Sequence, residues 1–195
     1  METFNPLGDV GETLRSILHE GMGTLEVSDE QIALASPEQF EPDEVGLSVH
    51  LYHLREDAHL ANERDLGPLS GESARPLVLQ LYYLITAHPP NGETVETGDT
   101  ISQHQILSKA VRTLHEHSIV SGSRLSGDFP PETELHITID ADATDHVMDV
   151  WGSFQDTPYL PSVSYVVSPV VIETAAGETD EPVTEATMHH FGSTR

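Results

Sequence analysis

The sequence predicts an α+β fold: a mixed, largely antiparallel sheet with helices packed on it. Three observations carry this expectation. Segments of period two are interspersed with segments of helical period, in the order α-β-β-β-α-β-α-β. The strands do not alternate regularly with helices, as a parallel βαβ array would require. One segment, Leu77 to Thr86, is apolar in both of its alternating rows, which marks a central strand covered on two sides.

The first helix follows Asp9, which can cap it, with Glu12 three residues later as in a capping box. Val10, Leu14, Ile17 and Leu18 share one face, and Gly21 or Gly23 can end it. Residues 31–35 read as a short strand before the breaker Ser36-Pro37. Val45, Leu47, Val49 and Leu51 alternate with Gly46, Ser48, His50 and Tyr52, the pattern of a half-buried strand. A loop from Asp57 to Pro76 separates it from the central strand, and loops this long are usually functional or mobile. Thr100-x-x-Gln103 is a second capping box, opening the longest helix. Ile106, Leu107, Ala110, Val111 and Leu114 give that helix its buried face, and it should stop near Ser118. A connector then runs to Phe129-Pro130-Pro131. Leu135, Ile137 and Ile139 mark the next strand. Val147, Val150, Trp151 and Phe154, spaced i, i+3, i+4, i+7, mark a third helix capped near Thr144. Val163 to Ile172 is the last strand; Pro169 cannot donate to a ladder, so the strand is expected to be an edge or to bend. The expected division is one domain over residues 1–173 and a flexible acidic tail over 174–195.

Charge excludes several functions. Lys and Arg number 8, Asp and Glu 33, for a formal net charge of −25. Lys109 is the single lysine beside seven arginines. Such a chain lacks the basic face that nucleic acid requires, and anionic lipid would repel it. No window reaches the ~18 apolar residues of a membrane span, and Met1 to Pro6 carries no signal-peptide pattern. The absence of Cys excludes disulfides, thiol chemistry and Cys-bound zinc. The carboxylates are scattered over periodic segments rather than gathered in one block, so the chain reads as a folded halophilic protein. At molar salt the Debye length falls to ~3 Å and self-repulsion is screened.

No catalytic or metal-binding constellation emerges. His115 and His117, at i and i+2 of a helix, point apart and better complement the helix C-terminal dipole. His50 and His53 are expected on opposite faces of their strand, and His189-His190 belongs to the tail. No nucleophile elbow and no glycine-rich phosphate loop is present. Asp140 and Asp142 are expected on one face of a strand, the two-carboxylate arrangement of some hydrolases, but such pairs arise by chance among 33 acids. Tyr82, Tyr83 and Trp151 sit at core spacing and could alternatively line a ligand site. A small hydrolase using His and Asp, and a small-ligand-binding module, are therefore the alternatives to a structural role.

Four segments carry a family likeness. They are the first helix with Leu14, Ile17 and Leu18; residues 47–62, a strand and its following turn; residues 76–87 with the helix through Gln103 to Leu107; and the closing strand 161–171. Leu81-Tyr82-Tyr83-Leu84-Ile85-Thr86-Ala87 is the most specific stretch. Together they resemble the N-terminal domain of cap, or tail-terminator, proteins of extracellular contractile injection systems of the virulence-cassette and antifeeding-prophage type. The sequence departs from that pattern at Ala58, Ala61 and Val166, where basic or amide residues are usual.

The resemblance implies a structural protein with no catalytic residues, cofactor or metal. It implies assembly in the cytoplasm as a component of an injection particle that can be released. The partners implied are five further copies in a six-fold ring, the sheath and the inner tube, without nucleic acid or membrane. Read as an edge, the last strand would offer its backbone to another chain. On that reading Val163, Tyr165, Val167 and Val171 are the expected contact residues.

Overall fold

A computed structural model describes residues 5–23, 25, 27–57, 76–90, 95–155 and 157–172. The described residues form three helices: α1 (Pro6–Met22), α2 (Thr97–Glu116) and α3 (Ala143–Ser153). Among the described residues six strands form one sheet: β1 (Ile32–Ala33), β2 (Gly46–Glu56), β3 (Leu77–His88), β4 (Ile119–Ser121), β5 (Glu134–Ile139) and β6 (Ser162–Ile172). Their spatial order is β1-β2-β3-β6-β5-β4. Among the described strands β1 and β2 pair in parallel and the other pairs are antiparallel. The expected α+β sheet with helices packed on it is the observed fold. Residues 58–75, most of the expected loop, and residues 173–195, with the expected tail, lie outside the described residues.

The two rows of β3 explain how three helices share one sheet. Leu79, Leu81, Tyr83, Ile85 and Ala87 enter the main core, against Val10, Leu14 and Leu18 of α1 and Ile106, Ala110 and Leu114 of α2. Leu84, from the other row, packs with Ala143, Val147 and Trp151 of α3. Burying large apolar side chains of this kind contributes roughly 1.5–3 kcal/mol each, so the doubly covered β3 anchors both layers.

Helix starts differ from the expected ones. Asn5 caps α1, its Oδ1 accepting from the Gly8 N–H at 3.3 Å, and Pro6 pre-sets the first turn. Asp9 therefore lies one turn inside the helix. At α2 the Glu96 N–H donates to Asp99 Oδ2 at 2.9 Å, so the helix begins three residues before Thr100. Gln103 does not cap the helix. It is buried, and its Nε2 donates to the Ala87 carbonyl at 2.6 Å, tying α2 to the end of β3. Gly21 does not end α1. It lies where α1 crosses α2, and a Cβ there would collide with the Thr113 side chain. Strand β4 was not legible, because three residues are too few to show a period. Its connector to β5 is held on α1 by the Ser126 N–H, which donates to Thr13 Oγ1 at 2.9 Å.

The last strand requires a correction. β6 is interior, not an edge: Ser162–Val167 and Val170–Ile172 pair with β3, and Tyr165–Ser168 also pair with β5. The bend inferred from Pro169 is real. Leu79 faces Val170 but Leu81 faces Val167, so Ser168 and Pro169 together oppose Gln80. The insertion flips the strand's phase, and the core takes Tyr165 and Val167 before it and Val170 after it. Pro169 also lies just past the stretch that β5 covers, where a missing N–H costs nothing on that side.

Candidate functional site

Among the described residues the histidines are dispersed. His117 ends α2, its Nδ1 2.9 Å from the Thr113 carbonyl, as the dipole argument anticipates. His115 is exposed on the same last turn. His50 and His53 share a face rather than opposing each other, because β2 carries a bulge between Leu51 and His53. His50 pairs with Leu84 and its ring lies 6.5 Å from Phe154; His53 pairs with Tyr82 and its ring lies 5.3 Å from it. A bulge of this kind leaves no mark in residue spacing. Among the described residues no group of three His, Asp or Glu is placed to hold a metal. His189 and His190 lie outside the described residues.

His88 is the functional-looking group that spacing missed. It continues the row of β3 that holds Leu84 and Thr86 and is 3 % exposed. Its Nε2 is 2.8 Å from Ser48 Oγ, and Phe40 packs edge-on at 5.0 Å. Burial lowers its pKa to about 4. A serine within hydrogen-bond reach of a histidine is the spacing of an activated nucleophile, but Ser48 is fully buried. Ser48 is therefore out of reach of solvent, although His88 borders a surface cleft with Phe40 and Leu160, and the pair fastens β2 to the end of β3.

The buried His88 makes stability pH-dependent. Its folded pKa lies below the ordinary 6.5, so the unfolded chain takes up a proton that the folded chain refuses. The stabilising effect is complete above pH 6.5 and is lost as pH falls toward 4. A shift of this size corresponds to about 3 kcal/mol. Chemical denaturation at fixed high salt should show wild type losing about that much more stability than His88→Gln between pH 7 and 4. Equal losses in both would contradict the assignment.

The other candidates are likewise placed by packing. Asp140 and Asp142 do not share a strand face, because β5 ends at Ile139 and Asp140 Oδ1 accepts from the Asp142 N–H at 3.2 Å in the turn into α3. Tyr83 and Trp151 are buried on opposite sides of the sheet, and Tyr82 is buried on the α3 side, so the three line no common cavity. Tyr83 donates to the Leu7 carbonyl at 3.3 Å, and burial raises its pKa.

The four expected contact residues of β6 are taken up within the fold. Tyr165 and Val167 are buried, Val163 packs against the core, and Val171 pairs with Val78. Among the described residues the long free ladder belongs instead to β2. β1 pairs only with Leu47 and Ser48, leaving the outer side of Val49–Glu56 without a neighbouring strand. At the opposite edge β4 is three residues long, with Ile119 exposed.

This architecture has relatives. The model of the Pvc16 N-terminal domain matches residues 9–186. The chain belongs to the Pvc16 N-terminal domain family. Two solved structures share its fold. One is the sheath/tube terminator, in the extended state, of the extracellular contractile injection system PVC, with a TM-score of 0.55 and 15 % identity. The other is the tube-terminating cap of the anti-feeding prophage, with a TM-score of 0.50 and 15 % identity. The alignments cover 98 % and 96 % of this chain but only 65 % and 62 % of those proteins. This member of the Pvc16 N-terminal domain family thus spans under two-thirds of either relative. No curated protein sequence matches it.

Proposed function

We propose that this protein is a structural, non-catalytic cap. In this reading it closes the baseplate-distal end of the tube and sheath of a phage-tail-like contractile injection particle, as a ring of six copies. It assembles in the cytoplasm and leaves with the particle. The observation that carries the reading is the family match over residues 9–186, joined to a fold shared with two tube terminators. The dispersal of the histidines into caps and packing roles, and the burial of Ser48, support a role without catalysis.

The chemistry of the contacts follows from composition. Eight basic residues against 33 acids cannot supply a salt-bridged ring between like subunits. Contacts between copies must therefore be apolar and backbone-mediated, and opposite charge must come from sheath or tube. A test adds purified protein, in molar salt, to uncapped tube–sheath particles. Electron microscopy should find six-fold density at the end away from the baseplate. Density along the shaft, at the baseplate, or at neither end would refute the reading.

A further inference from the structure

The positive charges of the described chain are not spread evenly. Of its five basic residues, Lys109, Arg112 and Arg124 bracket β4 in the sequence. Residues 100–127 hold these three against a single acid, Glu116, in a chain whose formal charge is −25. Arg112 pairs with Glu116 at 2.7 Å, and Arg15 pairs with Glu12 and Asp29. Among the described residues Lys109 and Arg124 have no carboxylate within ion-pair distance. Asp128, Glu132 and Glu134 follow on the connector and β5, where Glu134 meets His136 at 3.1 Å. In a molecule with 33 acids, two unpaired cations beside one strand mark the place where an acidic neighbour meets least repulsion.

β4 also carries the means of contact. The Ser118 carbonyl accepts from the Ile137 N–H at 2.8 Å, and Val120 faces Leu135 two residues on. These residues bond to β5, so the alternate ones, Ile119 and Ser121, direct N–H and C=O away from it. The Ile119 side chain is 56 % exposed, and the chain around it is described without a break from 95 to 155.

β1 stands at the other end of the strand order. Residues 29–44 around it hold six exposed acids, Asp29, Glu30, Glu38, Glu41, Asp43 and Glu44, and neither Lys nor Arg. Among these acids Leu34 is 41 % exposed. Each end of the sheet thus presents an exposed aliphatic side chain, one amid bases and the other amid acids. Contact between like ends would set base against base or acid against acid, and contact between unlike ends would not. Three bases are too few to bridge a ring by charge. They decide where a neighbour is not repelled, while Ile119 and the outward backbone of β4 carry the contact.

We infer that copies of this chain join head to tail, with β4 of one copy docked on the acidic surface around Leu34 of the next. This rests on the ring reading above and gives that ring its interface. A heterologous contact of this kind closes into a ring when its rotation divides a full turn.

Single cysteines test the pairing, because the chain has none of its own. Full-length Ile119→Cys and Glu38→Cys are mixed, without tube or sheath, in the lowest salt that keeps the wild-type melt, and treated with a flexible bismaleimide linker. Ser121→Cys with Glu41→Cys is a second pair, used if either member of the first melts early. Asp145→Cys, on the exposed side of α3, is the control. The mixed product should exceed both homodimers and the control at least about tenfold, and Lys109→Glu with Arg124→Glu should reduce it by a similar factor, because like charges then meet. An excess of Ile119→Cys homodimer would assign β4 to a two-fold contact and overturn the inference. A mixed product no greater than the control would overturn it as well. The cap role is read separately on particles, so a cap with a different interface and this interface without a cap give different results.

Discussion

Val167→Pro is expected to unfold the domain. Val167 is buried and paired on both sides, with Leu81 of β3 and Ile137 of β5. Proline removes its N–H and leaves a carbonyl on a neighbouring strand unsatisfied, at about 1–3 kcal/mol, and it also disturbs the packing of a core side chain. A total of roughly 3–5 kcal/mol is a large part of the ~5–15 kcal/mol that holds a typical domain together. Thermal melting followed by circular dichroism should show the transition lowered by ten degrees or so, about 2–4 degrees per kcal/mol, or lost. Pro169, in the same strand, is accommodated because it sits in the bulge and beyond the reach of β5; a proline two residues earlier has no such relief. An unchanged melt would mean that β6 is not the interior strand described.

Transfer from molar salt to about 20 mM should have a comparably large effect, a cooperative loss of structure. A formal charge of −25 repels itself over a Debye length that grows from ~3 Å at 1 M to roughly 20 Å at this lower concentration. Among the described residues few attractive pairs oppose it. Arg15 bridges Glu12 and Asp29 at 2.9 and 2.6 Å, and Arg112 meets Glu116 at 2.7 Å, all at the surface, where solvent screens such pairs. Circular dichroism and size exclusion across the salt series give the readout. A signal unchanged at ~20 mM would contradict the halophilic reading.

Strong periodicity made the central features legible. The two apolar rows of β3 fixed its place under helices on both faces, and the i, i+3, i+4 pattern of Val147, Val150 and Trp151 located α3. The failures share one cause, local geometry that shifts phase without changing composition. The bulge in β2 brought His50 and His53 to one face, and the bulge at Ser168-Pro169 let a proline occupy an interior strand. Gln103 was misread and His88 passed over because a polar residue that satisfies a buried partner has the same letter as one that caps a helix or ends a strand. The contact surface was the least legible part. Which strand keeps a free ladder is decided by strand order, and strand order is set by long-range pairing.

The length distribution of the particles tests the terminator role most directly. Injection particles purified from cells that lack this protein should carry tubes and sheaths of broadly variable length, and re-expression should restore a single narrow length. Particles of normal, uniform length in its absence would contradict that role.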